Sequence, residues 1–330
     1  MKGIALILGI TGGVGNATAR ALANHGWQLR ALHRNPEQAK LTLKGHWPTI
    51  DWQQGDATHS DAVSQAAVGC NLIVHGVNPP GYRNWRGLAL PMLTASIAAA
   101  KTSGATLLFP GNVYNFGPDA WPDVTETSAQ NPVSRKGKIR VEMEQMLKDA
   151  AKHGCQSIIL RAGDFFGPNA GSSWFENVLV KPGRRVRSVT YPGQHQAGHA
   201  WAYLPDLAET FARLAERRRE LDAFASFNLG GHYLAPGVGM AEAIRDAAGE
   251  PAATIRGFPW WSLRLIGPFN ETFRELAEMR YLWENTLRLN NHKLAAFLGE
   301  EPHTPIRQAL TMTLTNLGCI QELKPRATPA

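Results

Sequence analysis

The chain has 330 residues, of which 44% are hydrophobic and 18% charged, values typical of a soluble globular protein. This length suffices for one large domain or two smaller ones. No apolar run approaches the ~20 residues that span a bilayer, so we expect no membrane partner. The three cysteines are too few and too scattered for a disulfide framework or a zinc site, which favours a reducing cytoplasm.

The formal net charge is +7, which permits anionic partners but does not identify a particular one. Cations cluster at 181–187 and 216–220, and neither cluster accompanies a nucleic-acid-binding motif. We therefore expect solvated surface at both clusters, and no nucleic-acid partner.

Strand-like and helix-like patterns alternate through the first half of the chain. The predicted strands are 3–9, 28–34, 49–56, 71–77, 105–111 and 156–163, and the predicted helices are 14–26, 61–69, 88–104 and 134–153. This alternation predicts an α/β fold, a Rossmann-type doubly wound parallel sheet with helices on both faces. Ordered patterns return at 199–218 and 226–231, and 232–330 is typical of a smaller, mainly helical C-terminal lobe.

A glycine-rich turn, "LGITGGVGNATARAL", follows the first strand and opens the first helix. Gly9 permits a tight turn, Gly12 lets a pyrophosphate approach the backbone, and Gly15 allows close helix–strand packing. The free N–H groups at the helix start attract phosphate. The alternative is a glycine-rich turn without a ligand. The turn predicts pyrophosphate binding by Gly9, Thr11, Gly12, Gly13, Val14 and Gly15.

The second strand ends without the Asp or Glu that would select NAD. It ends in His33 and Arg34, and a guanidinium can pair with a 2′-phosphate while the imidazole adds a donor. We therefore expect NADP as the cofactor, with NAD less favoured. Asp56, after the third strand, either accepts a hydrogen bond from the adenine amino group or simply forms a turn.

Five segments together resemble the extended short-chain dehydrogenase/reductase superfamily, in its NAD-dependent epimerase/dehydratase branch. They are "GITGGVG", "GDAT", "IVHGVNPP", "LRAGDFFGP" and "WAYLPDLAETF". The resemblance implies further cofactor contacts, at the adenine (Ala57), beside the nicotinamide ribose (Gly76, Val77, Asn78) and after the sixth strand (Ala162, Asp164). It also implies a dinucleotide-binding domain of 1–165 plus 199–231, and a substrate-binding lobe of 166–198 plus 232–330.

The catalytic signature of that superfamily, Ser/Thr plus Tyr-x-x-x-Lys, is changed here. Its Tyr-x-x-x-Lys segment matches "KGKIR", so Lys136 stands at the Tyr position and Arg140 at the Lys position. Phe109 and Pro110 stand where Ser-Ser is usual. Lys136 could act as a general acid if burial and Arg140 depress its pKa, and Arg140 could hydrogen-bond ribose hydroxyls.

Helical geometry supports a packed position for these two cations. An apolar stripe runs along Ile139, Met143, Met146 and Ala150 at ~100° per residue. Lys136 and Arg140 fall within or beside the stripe, whereas Lys138 falls away from it. Cations in a packed position need a partner, and Glu144 lies one turn from Arg140. The alternative is a pair of side chains that snorkel at the helix edge.

Other groups near the expected site are Tyr114 and Tyr82, with Asn112 as a donor that orients a carbonyl. Tyr114 could instead pack or line a pocket. His195 and His199 have i, i+4 spacing but lie in a glycine-containing loop, so we expect no metal there or elsewhere. The aromatic run 257–269 fits core packing or a subunit interface, which leaves a homodimer open.

Two functions fit these observations. The first is an NADP-dependent enzyme of the epimerase or reductase type that acts on a small carbonyl or hydroxyl substrate. Its tyrosine would be replaced by Lys136, by Tyr114 or by a group of the substrate. The second is a non-catalytic NADP(H)-binding protein that senses redox state or scaffolds a partner, which the changed catalytic identities favour.

Overall fold

The computed structural model describes residues 2–43, 45–79, 84–171, 173–266 and 270–320, without the side chains of 264–266. Tyr82 and part of the aromatic run 257–269 lie outside the described residues. Within these ranges, the chain forms one large parallel sheet, helices on both of its faces, and a second layer of short strands and helices built mainly from its last third.

The strands of the described ranges are β1 (Ile4–Leu8), β2 (Gln28–His33), β3 (Ile50–Gln54), β4 (Leu72–His75), β5 (Thr106–Asn112), β6 (Asp123–Val124), β7 (Ser157–Ala162), β8 (Asp164–Phe166), β9 (Ser188–Tyr191), β10 (His199–Tyr203), β11 (Phe224–Asn228), β12 (His232–Leu234), β13 (Thr254–Gly257) and β14 (Arg288–Leu289). The α-helices are α1 (Gly13–Asn24), α2 (Pro36–Thr42), α3 (Ser60–Ala66), α4 (Trp85–Ser103), α5 (Arg135–Ala151), α6 (Leu204–Glu216), α7 (Gly239–Ala247), α8 (Trp260–Ile266), α9 (Glu271–Glu278), α10 (Tyr281–Glu284), α11 (His292–Leu298) and α12 (Ile306–Asn316).

The central sheet has the strand order β3-β2-β1-β4-β5-β7-β11, and all its pairings are parallel. Strands β4 and β7 are buried along their whole length because helices cover both faces. Helices α1 and α6 pack on one face, and α3, α4 and α5 pack on the other. The predicted Rossmann-type fold is confirmed.

The strand order reverses between β1 and β4, which are neighbours in the sheet although β2 and β3 come between them in the chain. Such a reversal opens a crevice at the carboxyl ends of the strands, where α/β proteins bind their ligands. Apart from Arg140, which lies on α5, the residues predicted to contact the cofactor lie at or after the carboxyl ends of β1, β2, β3, β4 and β7. The topology therefore brings them to one edge of the sheet.

A second hydrophobic core lies outside the sheet. It joins large side chains of β8, β9 and β10 to those of α7, α10 and α12. Three small sheets, β12-β10-β8, β13-β9 and β14-β6, support it. Phe258 and Trp260 pack against Trp174 there, whereas Trp261 of the same aromatic run is exposed. None of the helices in the described ranges has both the length and the apolar character that a bilayer crossing requires.

The sequence analysis predicted no helix over 36–42, where α2 lies. The start signals are present, because the side chain of Asn35 accepts a hydrogen bond from Gln38 N–H at 3.1 Å and Pro36 occupies the first helical position. The helix has only seven residues and buries only Ala39, so it lacks a hydrophobic period long enough to detect.

Three glycines hold β1, α1 and β4 at backbone contact. Gly9 has a φ of +86°, and a Cβ on Gly15 would lie 2.2 Å from the Gly9 carbonyl oxygen. A Cβ on Gly76 would lie 2.8 Å from the Gly15 Cα atom. A Cβ on Gly9 would lie 2.6 Å from the Gly76 carbonyl oxygen, so all three contacts are with backbone atoms, which cannot rotate away as a flexible side chain would. A side chain at any of these positions would force the elements apart.

We predict that Gly15→Ala lowers the free energy of unfolding by roughly 3 kcal/mol through overpacking. Gly239→Ala serves as the control, because a Cβ at Gly239 would have no atom within 4 Å and helix propensity favours alanine there. Denaturant unfolding of both variants measures the difference. Equal stabilities would contradict the close approach of α1 to β1.

Candidate cofactor and active site

The start of α1 forms a cradle of exposed backbone N–H groups. Gly12 caps the helix, its N–H donates to the Gly9 carbonyl at 2.9 Å, and no acidic residue lies in the first turn. Thr11 and Gly12 are exposed, and Gly13 and Val14 are half-buried. No acidic side chain of that turn neutralises the partial positive charge of the helix N-terminus, and these residues fit a pyrophosphate group.

The loop after β8 lies across the first turn of α1, which the sequence analysis did not foresee. A Cβ on Gly13 would lie 2.3 Å from the Ala170 carbonyl oxygen, so only glycine permits this approach. Asn169, with a φ of +56°, is held by its N–H, which donates to Asn316 Oδ1 of α12 at 3.0 Å. The second core thus reaches the cofactor edge of the sheet through this loop.

The end of β2 presents a cation at the position expected for the adenosine ribose. Arg34 is exposed, and its side chain makes no hydrogen bond or ion pair with the residues that the structure describes. His33 faces its own turn, where Nδ1 accepts a hydrogen bond from Asn35 N–H at 3.0 Å. Arg34 is therefore placed to meet an anion, whereas one nitrogen of His33 is already engaged.

Asp56 forms the turn that the sequence analysis gave as its alternative role. Its Oδ1 accepts hydrogen bonds from the Thr58 N–H at 2.9 Å and the Thr58 hydroxyl at 2.8 Å. These bonds, chiefly the one from the backbone, hold the pKa of Asp56 below its ordinary value, and the nearby charge of Arg34 acts in the same direction. Oδ2 takes part in neither bond, and Ala57 beside it is half-buried.

Five further predicted cofactor residues lie at or after the ends of β4 and β7. Gly76 and Val77 are half-buried after β4, Asn78 is exposed, and Ala162 is buried at the end of β7. Asp164 is engaged by the second core, because its Oδ2 lies 2.8 Å from Nε2 of His199. His199 in turn stacks on Trp283, with ring centroids 4.0 Å apart. His199 is therefore a partner of Asp164.

Helix α5 presents its cations as the helical geometry predicted. Lys136 is 1% exposed, Arg140 is half-buried, and Lys138 is exposed. Ser134 caps the helix by accepting a hydrogen bond from Gly137 N–H at 3.0 Å. Burial of Lys136 was thus predictable from sequence, but its partner was not.

The ammonium group of Lys136 donates a hydrogen bond to Glu275 of α9. Arg135 also contacts Glu275, with Nη2 and Oε1 2.9 Å apart. Burial, the largest effect, lowers the pKa of Lys136 below its ordinary value, and Glu275 acts in the opposite direction. Lys136 is therefore a buried cation with a depressed pKa, bound to the C-terminal part of the chain.

Arg140 lies among aromatic rings and a strand end. Its Nη1 donates to the Pro110 carbonyl at 3.1 Å, and its guanidinium carbon lies 5.2 Å from the ring centroid of Trp85 and 5.5 Å from that of Phe109. The expectation that Glu144 partners Arg140 was wrong. Glu144 instead forms a bidentate pair with the buried Arg161 of β7, at 3.0 and 2.7 Å.

Asn112 and Tyr114 come together where β5 ends. Asn112 Oδ1 accepts a hydrogen bond from the Tyr114 N–H at 3.0 Å, so this oxygen serves the local turn. Tyr114 is 9% exposed and belongs to the second core. The side-chain amide nitrogen of Asn112 takes no part in that bond.

His75 is a buried titratable group that the sequence analysis did not single out. It ends β4, and its Nδ1 lies 2.8 Å from the Ser96 hydroxyl, which itself donates to the Met92 carbonyl. The hydroxyl therefore accepts the Nδ1 proton. Burial, and secondarily the charge of Arg140, lowers the pKa of His75 to about 3. The imidazole is neutral at the edge of the crevice.

Comparison with known families identifies the chain. The model of the NAD dependent epimerase/dehydratase family matches residues 5–230. The chain belongs to this family. The match spans the central sheet from β1 to β11 and includes the glycine turn, so it confirms the family that the sequence motifs predicted. Membership places the chain among NAD(P)-dependent enzymes.

Solved structures of epimerases and dehydratases share the fold of this family member. A UDP-galactose 4-epimerase has a TM-score of 0.72 and 15% identity, over 97% of this chain and 100% of its own. UDP-glucose 4-epimerase from Bifidobacterium longum, in complex with NAD⁺ and UDP, has a TM-score of 0.71 and 15% identity, over 95% and 97%. A double mutant of DesIV, the dTDP-glucose 4,6-dehydratase from Streptomyces venezuelae, has a TM-score of 0.72 and 14% identity, over 94% and 96%. Comparison with curated protein sequences finds no significant match.

We predict that His75 makes this epimerase/dehydratase-family protein sensitive to acid. In the unfolded chain the histidine pKa is about 6.5, so below that pH the unfolded state binds a proton that the folded state rejects until about pH 3. The neutral imidazole therefore makes its whole contribution to the free energy of unfolding above pH 6.5. That contribution falls as the pH drops from 6.5 towards 3. Between pH 7 and pH 5 the loss is about 2 kcal/mol.

Denaturant unfolding at pH 7 and pH 5 measures this loss. In His75→Gln the difference between the two pH values should shrink by that amount, whatever the variant does to stability at pH 7. His153→Gln is the control, because His153 is exposed. An unchanged pH difference in His75→Gln would show that His75 is not the group responsible.

Proposed function

We propose that the protein is an NADP-dependent oxidoreductase or epimerase of the extended short-chain dehydrogenase/reductase type, acting on a small carbonyl or hydroxyl substrate. The observation that carries the cofactor part is the exposed Arg34 at the end of β2, without an acidic residue beside it at that strand end. A carboxylate at this position would accept hydrogen bonds from both ribose hydroxyls of NAD, and a guanidinium instead complements a 2′-phosphate.

The similar structures favour NAD over NADP as the cofactor, since the B. longum enzyme was solved with NAD⁺. At 15% identity, this similarity shows a shared fold only. It does not show that the residue beside the adenosine ribose is the same in both proteins. Here that position has a cation, whose interaction with a 2′-phosphate is charge-assisted. We therefore assign the 2′-phosphate to Arg34, with His33 and Asp56 flanking the adenosine.

We further propose that Lys136 donates the proton and that Arg140 holds the nicotinamide ribose. A general acid works best when its pKa lies near the operating pH, and burial moves the pKa of Lys136 in that direction. Glu275 accepts a hydrogen bond from the amine and so fixes its position. Arg140 keeps its charge at neutral pH and can donate to ribose hydroxyls while it stacks on Trp85.

The substrate would lie between this helix and the second core. Asp164 and His199 face each other there at 2.8 Å, beside the indole of Trp283. Asn112 and Tyr114 complete the proposed surroundings, the first as a donor to the substrate oxygen. When bound, the nicotinamide would supply hydride transfer, and the chain's part is to orient the substrate and deliver the proton.

A second candidate function is a non-catalytic NADP(H) sensor, which the ion pair between Lys136 and Glu275 favours. The Lys136 ammonium is already bound to a buried carboxylate, so it is less available to a substrate as a general acid than a free tyrosine hydroxyl would be. In a sensor, this pair would only fasten α9 to α5. Turnover separates the two candidates, since both bind the cofactor.

We predict that Arg34→Ala weakens NADPH binding on the order of 10- to 100-fold, because it removes a charge-assisted pair with the 2′-phosphate. NADH affinity should stay within roughly twofold, as for an ordinary surface substitution. Calorimetric titration of both cofactors is the measurement. Lys40→Ala, which removes another exposed cation, is the control. Equal losses for NADPH and NADH would remove the assigned role from Arg34.

Lys136→Met should reduce NADPH-dependent turnover of a small carbonyl substrate by on the order of 10²- to 10⁴-fold, the usual contribution of a general acid. NADPH affinity should be unchanged, because Arg140 is retained. The assay follows NADPH oxidation across a panel of aldehydes and ketones, with Lys138→Met as the exposed control on the same helix.

Three other outcomes of this assay are informative. Full turnover in Lys136→Met together with lost turnover in Tyr114→Phe would transfer the acid role to Tyr114. Full turnover in both variants would indicate that a group of the substrate itself supplies the proton. Tight NADPH binding without turnover in the unaltered protein would favour the sensor.

A further inference from the structure

Asp206, His232 and His303 converge although they are distant in the sequence. They lie in the first turn of α6, at the start of β12 and in the segment before α12. Each offers one potential ligand atom, and these three atoms all lie within 4.8 Å of one another. The sequence gives no metal-binding spacing for this set, which explains why we expected no metal site.

His232 has a buried nitrogen that lacks a partner. The residue is 5% exposed, and its Nε2 makes no hydrogen bond with any residue in the described ranges. Its ring lies 4.4 Å from the ring of His303 and 5.6 Å from that of Phe166, centroid to centroid. Buried polar atoms of this kind are normally satisfied, so an unsatisfied one indicates a missing partner at this point. A bound cation would be such a partner.

The carboxylate of Asp206 is held in place by Thr304. Its Oδ1 accepts from the Thr304 hydroxyl at 2.6 Å, and its Oδ2 accepts from the Thr304 N–H at 2.8 Å. Each carboxylate oxygen keeps a further lone pair for a metal ion. Hydrogen bonds of this kind orient metal ligands and are typical of the surroundings of metal sites.

The segment that carries His303 is anchored on its other side as well. The carboxylate of Glu301 accepts hydrogen bonds from the N–H groups of Gly230 at 2.8 Å and Gly231 at 2.7 Å, directly before His232. His232 and His303 are therefore brought together by two independent attachments, through Glu301 and through Thr304. Their approach does not depend on a contact between the two rings.

We propose that Asp206, His232 and His303 bind one divalent transition-metal ion, with Zn²⁺ as the probe that fits best. Two imidazoles and one carboxylate are ligands that Zn²⁺ accepts, whereas Mg²⁺ and Ca²⁺ prefer oxygen ligands alone. Three protein ligands leave a fourth position for water, which the exposed side of His303 would admit. The ion would fasten the segment before α12 to α6 and β12, a role separate from the proposed chemistry.

The test uses the full chain, stripped of metal with a chelator and free of nicotinamide cofactor. Calorimetric titration with Zn²⁺ should give one ion per chain, and Zn²⁺ should raise the thermal unfolding midpoint by mass action. His303→Ala removes an exposed ligand without opening the core, and it should weaken Zn²⁺ binding by on the order of 100-fold or more. His292→Ala, an exposed histidine of the same C-terminal segment, should bind Zn²⁺ as the unaltered protein does.

A third variant, Thr304→Val, distinguishes a preorganised metal site from adventitious binding. It keeps all three ligands and removes the hydroxyl that orients Asp206, so it should weaken Zn²⁺ binding by roughly 10-fold. Three results would overturn the site: no stoichiometric Zn²⁺ in the unaltered protein, the same affinity in His303→Ala, or tighter binding of Mg²⁺ than of Zn²⁺. The first would leave His232 and His303 as a packed pair of rings without an ion.

Discussion

The close approach of β1, α1 and β4 is the constraint on which the site depends. Gly9, Gly15 and Gly76 bring three backbones into contact, and this contact fixes where the first turn of α1 points. The same turn supplies the exposed N–H groups that we propose bind phosphate, so packing and the proposed binding use the same residues. The loop at Ala170 extends the arrangement, because it touches Gly13 and is itself held by α12. The second core is thereby coupled to the cofactor edge of the sheet.

Helix α5 holds two cations whose surroundings differ. Lys136 is buried and bound to a carboxylate of α9, and Arg140 stacks on Trp85. We propose that these two residues take the places of the family's tyrosine and lysine. A buried cation is costly unless it is paired, and the pairing of Lys136 with Glu275 also attaches the C-terminal part of the chain to α5. The ion pair therefore ties the proposed chemistry to the packing of the C-terminal part of the chain.

The fold could be predicted from sequence, and a cofactor edge proposed from it, because the signals for both are local. The strand and helix periods, the glycine spacing and the missing acid at Arg34 all lie within short windows, and helical geometry alone placed Lys136 inside and Lys138 outside. The partners could not be predicted, because they come from distant segments. Glu275 lies 139 residues from Lys136, and Glu144 pairs with Arg161 in place of the nearer Arg140. The group of Asp206, His232 and His303 exists only once the sheet and the C-terminal segment have come together.

We propose that this epimerase/dehydratase-family chain binds a nicotinamide dinucleotide at the start of α1 and its 2′-phosphate at the end of β2. Calorimetric titration of the unaltered protein with NADPH, NADP⁺ and NADH is the decisive experiment. Both NADP forms should bind more tightly than NADH, by on the order of 10-fold or more. Tighter binding of NADH, or no binding of any of the three, would refute this proposal.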